Sequence, residues 1–246
     1  MTSPVLKYRR VLLKYSGEVL QGPSSFGIEP SALDYVVAKI KQLQDMGVEV
    51  AVVLGGGNFY RGKNLLSAGF DQAKSDQMGM LATIMNAIAL QHALTAEGTK
   101  STVYSAIPMP GFVQSYEIEL VRQALSAGEV VICAGGTGLP FFTTDTAACL
   151  RAIELQADVV LKATKVDGVY SKDPSIYADA TRYDFITYEE AIEKKLSVMD
   201  ITAICLCQEH QLPIQVFNMR NENALKEIVL GEHVGTIVGE KNATRA

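Results

Sequence analysis

The sequence predicts an open α/β sheet covered by helices on both faces. Short β-branched runs alternate with stretches of helical periodicity from one end of the chain to the other. The runs look like strands of a parallel sheet buried on both faces. Small-residue loops follow several of them, at the carboxyl ends of strands, where such sheets bind ligands.

The first strand is expected at Arg9–Lys14. The first helix is expected at Ser31–Met46, where Leu33, Val36, Val37, Ile40 and Leu43 recur at helical spacing, with Ser31 as N-cap and Gly47 as the stop. Strand Glu49–Leu54 follows, then a long helix, Ser75–Glu97, closed by Gly98. Strand Ser101–Ser105, helix Tyr116–Ser126 closed by Gly128, and strand Val130–Cys133 continue the alternation. The rest reads as helix Thr144–Leu155, strand Asp158–Leu161, helices Tyr188–Lys194 and Asp200–His210, strand Ile214–Phe217 and helix Asn221–Val229. Beyond Leu155 the chain becomes more polar, and Lys162–Tyr183 carries the turn signals Asp167-Gly168 and Asp173-Pro174. With no repeat and no low-complexity linker, this reads as a single domain, 1–246, with approximate lobes 1–155 and 156–246 sharing one sheet.

Composition narrows the function. The 22 Lys+Arg against 27 Asp+Glu give a net charge of −5, the wrong sign for a dedicated nucleic-acid surface. A hydrophobic share of 48% supports a sizeable core and excludes compositional disorder. Gln77–Ala96 has no formally charged residue over a membrane-spanning length. Its Gln77, Thr83, Asn86, Gln91, His92 and Thr95 make it too polar for a lone span, so it is expected to be buried in the core or against another subunit. Neither nucleic acid nor a membrane is an expected partner. Met1–Arg10 is polar and basic, and the apolar run Val11–Leu13 ends at Lys14, too short for a signal peptide. Cys133, Cys149, Cys205 and Cys207 lie in apolar runs, which fits a reduced, cytoplasmic protein. Cys205-x-Cys207 lacks a second pair, so both read as buried small hydrophobes and no resident metal site is expected. His92, His210 and His233 read as helix or surface residues.

The 20 glycines in an aromatic-poor chain point to backbone placed close to a ligand. Three strand ends run into such loops: Lys14-Tyr15-Ser16-Gly17, Gly55-Gly56-Gly57-Asn58 and Gly135-Gly136-Thr137-Gly138. Converging main-chain N–H groups and helix N-termini bind anions, and three loops at one sheet edge suit more than one phosphate, although each alone is also an ordinary tight turn. Gly57–Asn64 imitates a G-x-x-x-x-G-K phosphate loop but ends in Asn, and the helix that should follow is interrupted by Gly69. A G-x-G-x-x-G fingerprint is absent, which weakens a dinucleotide oxidoreductase. Phosphoryl transfer needs cations around the moving group. Lys14 ends a buried strand, and Arg61 follows the triple glycine and can fork onto phosphate oxygens. Asp76 opens a helix and suits either the helix dipole or sugar hydroxyls, and Thr143-Thr144-Asp145 suits either a cap or an acceptor phosphate.

These motifs together resemble the amino acid kinase superfamily, and within it the bacterial uridylate (UMP) kinases. The resemblance runs from Lys14 to about Gly239 and rests on Lys14-Tyr15-Ser16-Gly17, GGGNFYRG from Gly55, Asp76–Thr83, GTGLPFFTTD from Gly136 to Asp145, and LKATKVDGVY from Leu161. It implies a three-layer αβα sandwich around a central, mostly parallel sheet, assembled as a hexamer, that converts ATP and UMP to ADP and UDP with Mg2+ carried by the nucleotide. By that resemblance Lys14, Arg61 and Asp145 are catalytic, the lysine and arginine neutralising charge and the aspartate orienting lysines and magnesium. Gly56, Asp76, Thr137, Gly138, Leu139, Pro140, Phe141, Phe142, Thr143 and Thr144 hold UMP, within the first lobe. Lys14, Tyr15, Ser16, Gly17, Gly57, Arg61, Thr164, Tyr170 and Asp173 hold ATP, its nucleoside end in the second lobe. Gly22, Pro23, Ser24, Ser25, Phe26 and Gly27 match a segment linked to activation by GTP, with UTP as inhibitor. Either Lys162 or Lys165 reaches a phosphate, and Asp200 receives no role. The chain departs from the commonest pattern at Tyr15, where Leu or Phe is usual, and at Leu139, where Asn is frequent. No His or Cys lies in the loops, which points to direct transfer. The alternatives are a related kinase for another small acceptor, of the acetylglutamate type, and a non-catalytic nucleotide-binding storage or regulatory protein.

Overall fold

A computed structural model describes residues 5–60 and 69–240. Arg61 and Gly62, with Lys63 and Asn64 at the end of the Gly57–Asn64 segment, and Met1–Pro4 lie outside the described residues. The main sheet has nine strands in the order β4-β3-β5-β2-β1-β6-β10-β11-β9. These are β1 (Arg10–Tyr15), β2 (Glu49–Leu54), β3 (Ser101–Ser105), β4 (Gln114–Ser115), β5 (Val130–Ala134), β6 (Val159–Thr164), β9 (Phe185–Ile186), β10 (Ile214–Asn218) and β11 (Thr236–Val238). Every pairing is parallel except β10 with β11. A separate antiparallel hairpin, β7 (Val169–Tyr170) with β8 (Arg182–Tyr183), occupies the turn-rich stretch. The Thr236 hydroxyl ties it to β11, accepting from Val169 N at 2.8 Å and donating to the Tyr183 carbonyl.

The six runs all fold as strands, two at their expected bounds and four within three residues of them, because their apolar centres are stable only where both faces are covered. Alternation along each strand then sorts side chains between two cores. Val11, Leu13 and Tyr15 pack with α1 (Pro30–Asp45), α2 (Gln72–Ala96) and α7 (Ala224–Val229). Leu12, Ala51, Val53 and Val160 pack on the other face with α3 (Ile118–Ser126), α4 (Thr144–Glu154), α5 (Tyr188–Glu193) and α6 (Ile201–Glu209). This is the three-layer αβα sandwich expected.

Several helix starts are corrected. α1 begins at Pro30 with Glu29 at the N-cap, so Ser31 is not the cap; proline, whose missing N–H would be unsatisfied there anyway, takes the first turn. α2 begins at Gln72 behind Asp71, whose carboxylate accepts from Lys74 N, and Asp76 therefore lies past the first turn rather than opening the helix. α3 and α7 start later than expected, at Ile118 and Ala224. Gly47, Gly98 and Gly128 follow their helices with φ of 83°, 75° and 76°, as stop residues do. Strands β4, β7, β8, β9 and β11 are too short to leave a periodic signal. Cys207 is buried as expected, whereas Cys205 is exposed on the outer face of α6. His92, His210 and His233 are exposed. Among the described residues no helix is long and apolar enough to cross a membrane.

Candidate active site

In the strand order the chain steps from β1 to β2 on one side and to β6 on the other, so a crevice opens beyond the carboxyl end of β1. The Lys14–Gly17, Gly55–Asn58 and Gly135–Gly138 loops leave β1, β2 and β5, which run parallel, and so emerge at one edge. The first two are in contact. Gly55 N donates to the Tyr15 carbonyl at 3.0 Å, and a Cβ on Gly17 would lie 2.5 Å from the Gly55 carbonyl oxygen, so only glycine lets the first two loops approach this closely. Behind them Asn58 and Asn86, both buried, exchange amide hydrogen bonds at 2.9 and 2.7 Å, and Asn86 also donates to the Gly55 carbonyl at 2.7 Å. The Thr83 hydroxyl accepts from Gly135 N at 2.9 Å and fastens the third loop to α2.

The charged centre follows from register. Lys14 and Lys162 are opposite each other in β1 and β6 and project from the same face, that of Leu12 and Val160, on which α4 packs. Thr143 caps α4, accepting from the amides of Asp145 and Thr146 at 3.0 and 3.3 Å, which sets Asp145 in the first turn. Its carboxylate receives Lys14 Nζ at 2.6 Å and Lys162 Nζ at 2.7 Å. Burial opposes ionisation of Asp145, but the two ammonium groups outweigh it and hold the carboxyl below the usual carboxylate range. Burial, with Lys14 alongside, pulls Lys162 below the usual lysine value against the attraction of Asp145. Two cations on one carboxylate leave a net positive charge facing the glycine loops, an arrangement suited to phosphate. Lys162 is thus separated from Lys165, which is exposed and reaches Glu18 at 3.4 Å.

Two cavities flank this centre. One, of about 260 Å³, is lined by Gly56, Gly57, Tyr60, Ser75, Asp76, Gly79, Met80, Thr83, Gly136, Thr137, Leu139, Phe142, Thr143 and Thr144. Asp76 accepts from Phe141 N at 2.8 Å across its mouth, where Phe141 has a φ of 71°. Leu139, Phe141 and Phe142 are exposed, and Gly138 and Pro140 complete the same loop. The second cavity, of about 310 Å³, is bounded by Val166–Pro174, excepting Asp167, and by Lys194–Ser197, and so includes Tyr170 and Asp173. Lys162 links the two, because its other acceptor is the Val198 carbonyl at 2.5 Å, one residue from Ser197, while Asp145 adjoins Thr144. A larger space of about 650 Å³, between α1 and the ends of α2 and α7, contains none of the glycine loops.

Not every expected residue faces this crevice with its side chain. Tyr15 is buried in the α1–α2 core, leaving only its main chain at the loop. Ser16 caps a short 3-10 turn, Gly17–Val19. Thr164 is turned to the carbonyls of Val166 and Phe217 at 2.6 and 3.3 Å. Asp200, given no role from sequence, accepts from the hydroxyls of Thr143 at 2.5 Å and Thr146 at 2.9 Å, joining the starts of α4 and α6. The Gly22–Gly27 segment lies against the second glycine loop: Gly27 N donates to the Asn58 carbonyl at 3.0 Å, Asn58 Nδ2 donates to Gly27 O at 2.9 Å, and Phe26 meets Phe59 edge-to-face at 5.6 Å. Asn58 and Thr83 lie inside the quoted motifs but receive no role there, and Asn86 and Arg151 lie outside the motifs, since each acts through a partner that spacing along the chain does not reveal.

Residues 9–218 match the model of the amino acid kinase family. The uridylate kinase of Legionella pneumophila (strain Paris) is 59% identical over 238 residues, spanning 97% of this chain and 96% of that relative. Among solved structures, the UMP kinase from Bacillus anthracis superposes with a TM-score of 0.92 at 34% identity, covering 97% of each chain. The UMP kinase from Ureaplasma parvum does so with a TM-score of 0.89 at 35% identity, covering 95% of this chain and 100% of that one. Fold, loop chemistry and near-complete coverage agree: the chain belongs to the amino acid kinase family and, within it, to the uridylate kinases.

Proposed function

We propose that this protein is a UMP kinase, transferring the γ-phosphoryl group of ATP directly to UMP to give ADP and UDP in the supply of pyrimidine nucleotides. The observation that carries the reading is the Lys14–Asp145–Lys162 cluster placed between two cavities. One cavity takes UMP and the other the nucleoside end of ATP, so the phosphates meet over the cluster. The first-lobe residues Gly56, Asp76 and Thr137–Thr144 serve the acceptor, with Asp76 on the ribose. Lys14, Gly17, Gly57 and Arg61 serve the ATP phosphates, and Tyr170 and Asp173 its nucleoside.

Lys14 and Lys162 balance the charge that spreads over the phosphoryl oxygens in transfer, while Asp145 fixes both ammonium groups in place beforehand. Neither cavity is lined by His or Cys, which favours in-line transfer without a covalent phospho-enzyme. Magnesium enters as part of the substrate, MgATP. Among the described residues no cluster of three or more His, Cys, Asp or Glu is placed to hold a metal, and Asp145 is already engaged by two lysines.

The working form is a cytoplasmic homohexamer, activated by GTP and inhibited by UTP. The exposed stripe Met78, Leu81, Met85 and Ile88 along α2 supports burial against another subunit, and the bonds between Gly27 and Asn58 support communication from the Gly22–Gly27 segment to the phosphate loops. A coupled ADP-release assay with UMP, CMP, dUMP and acetylglutamate, with and without GTP and UTP, tests the reading. Turnover with UMP far above the others is expected, and silence with UMP overturns it.

A further inference from the structure

We infer that Arg151 is a positioning residue for the acceptor, acting through the Gly136–Thr137 peptide. This rests on the acceptor reading of the cavity lined by Asp76, Gly136 and Thr137. Arg151 lies in α4 beneath the third glycine loop and is buried to 5% exposure. Its Nη1 pairs with Glu154 at 2.5 Å, and its guanidinium lies 4.0 Å from the centre of the Tyr116 ring, whose hydroxyl donates to the same Glu154 carboxylate at 2.8 Å. Its Nη2 donates to the Gly136 carbonyl at 3.3 Å.

That last bond has a directional consequence. No peptide in the described residues is cis, so the carbonyl of Gly136 and the N–H of Thr137 point in opposite directions. Drawing the carbonyl down toward Arg151 turns the Thr137 N–H away from it, toward the acceptor cavity. A charged donor on the carbonyl also polarises the peptide and strengthens the N–H as a donor. Gly136 itself has a φ of 60°, a conformation that glycine tolerates and a fixed partner must select from its alternatives. Among the described residues Arg151 Nε is buried without a partner. A purely structural side chain would be better replaced by an apolar one, because a buried cation with an unpaired N–H costs stability.

The test compares Arg151→Met/Glu154→Gln with Arg151→Lys and wild type. The double variant removes the cation without leaving the half-buried Glu154 carboxylate unpaired, so its Tm should stay near that of wild type. The expected result is a KM for UMP raised about tenfold or more, with the KM for ATP unchanged, and partial recovery in Arg151→Lys. A UMP KM within twofold of wild type in the well-folded double variant overturns the inference, as does an equal rise in both KM values. Asp76→Ala, run in parallel, separates the premise: if it too leaves the UMP KM unchanged, the acceptor reading of the cavity falls as well; if it raises the KM while the Arg151 variants do not, only the role of Arg151 falls.

Discussion

Lys14 at the end of β1 and Asp145 in the first turn of α4 are 131 positions apart in sequence, from 145 − 14, yet their charged atoms stand 2.6 Å apart, and the second carboxylate oxygen holds Lys162. A carboxylate shared by two lysines fixes the cations without neutralising both.

Lys14→Met keeps the aliphatic stem and removes the charge. Asp145 retains Lys162, so folding should survive, with Tm within a few degrees of wild type. The kcat should fall about a hundredfold or more, as it does when one preorganised charge-stabilising donor is lost. Steady-state kinetics together with thermal melting check both halves.

Asp145→Asn leaves two buried ammonium groups facing a neutral amide. The pKa of Lys162, already lowered by burial and by Lys14, should fall further, so the alkaline limb of the kcat profile should move to lower pH by about one unit or more. In the wild type the folded-state pKa of Asp145 is depressed, so its contribution to stability is present above the unfolded value of about 3.9 and is lost as pH falls through the folded value. The variant should therefore show weaker acid destabilisation than wild type in melts between about pH 5 and pH 2. An unmoved alkaline limb counts against Lys162 as the titrating cation.

Asn86→Leu strips the Gly55 carbonyl and the Asn58 amide of buried partners. Unsatisfied buried groups cost about 1–3 kcal/mol each, so a loss of about 3 kcal/mol, or roughly 6–12 °C in Tm, is expected. Because the same amides hold the second glycine loop, the KM for ATP should rise as well. Denaturant titration and ATP kinetics read the two effects.

Leu81→Glu/Met85→Glu places two charges on the exposed apolar stripe of α2. Neither residue is buried in this chain, so the monomer fold should persist while the proposed hexamer dissociates. Sedimentation velocity at micromolar concentration distinguishes the species, and an undisturbed hexamer would place the subunit contact elsewhere.

Much of the molecule was legible in the sequence because its signals are local. Apolar runs such as Val50–Leu54 can be stable only with both faces covered, and glycines such as Gly47 and Gly98 end helices through their own φ. Short elements such as β4 and β11 depend on a neighbour for every hydrogen bond and carry no such signal. The start of α1 misled for a similar reason: Ser31 has the chemistry of a cap, but Pro30 had already fixed the first helical turn.

The candidate site divides along the same line. By itself the sequence determined the αβα architecture and the loops at the sheet edge, and it singled out Lys14, Asp76 and Asp145 as candidates, since strand alternation, glycine chemistry and ordered motifs are written along the chain. Only the tertiary structure decided that Lys162 rather than Lys165 meets Asp145, that Asp200 joins Thr143 and Thr146, and that Arg151 reaches Gly136. Those choices are set by strand register and helix packing, which bring together side chains that no spacing along the chain relates.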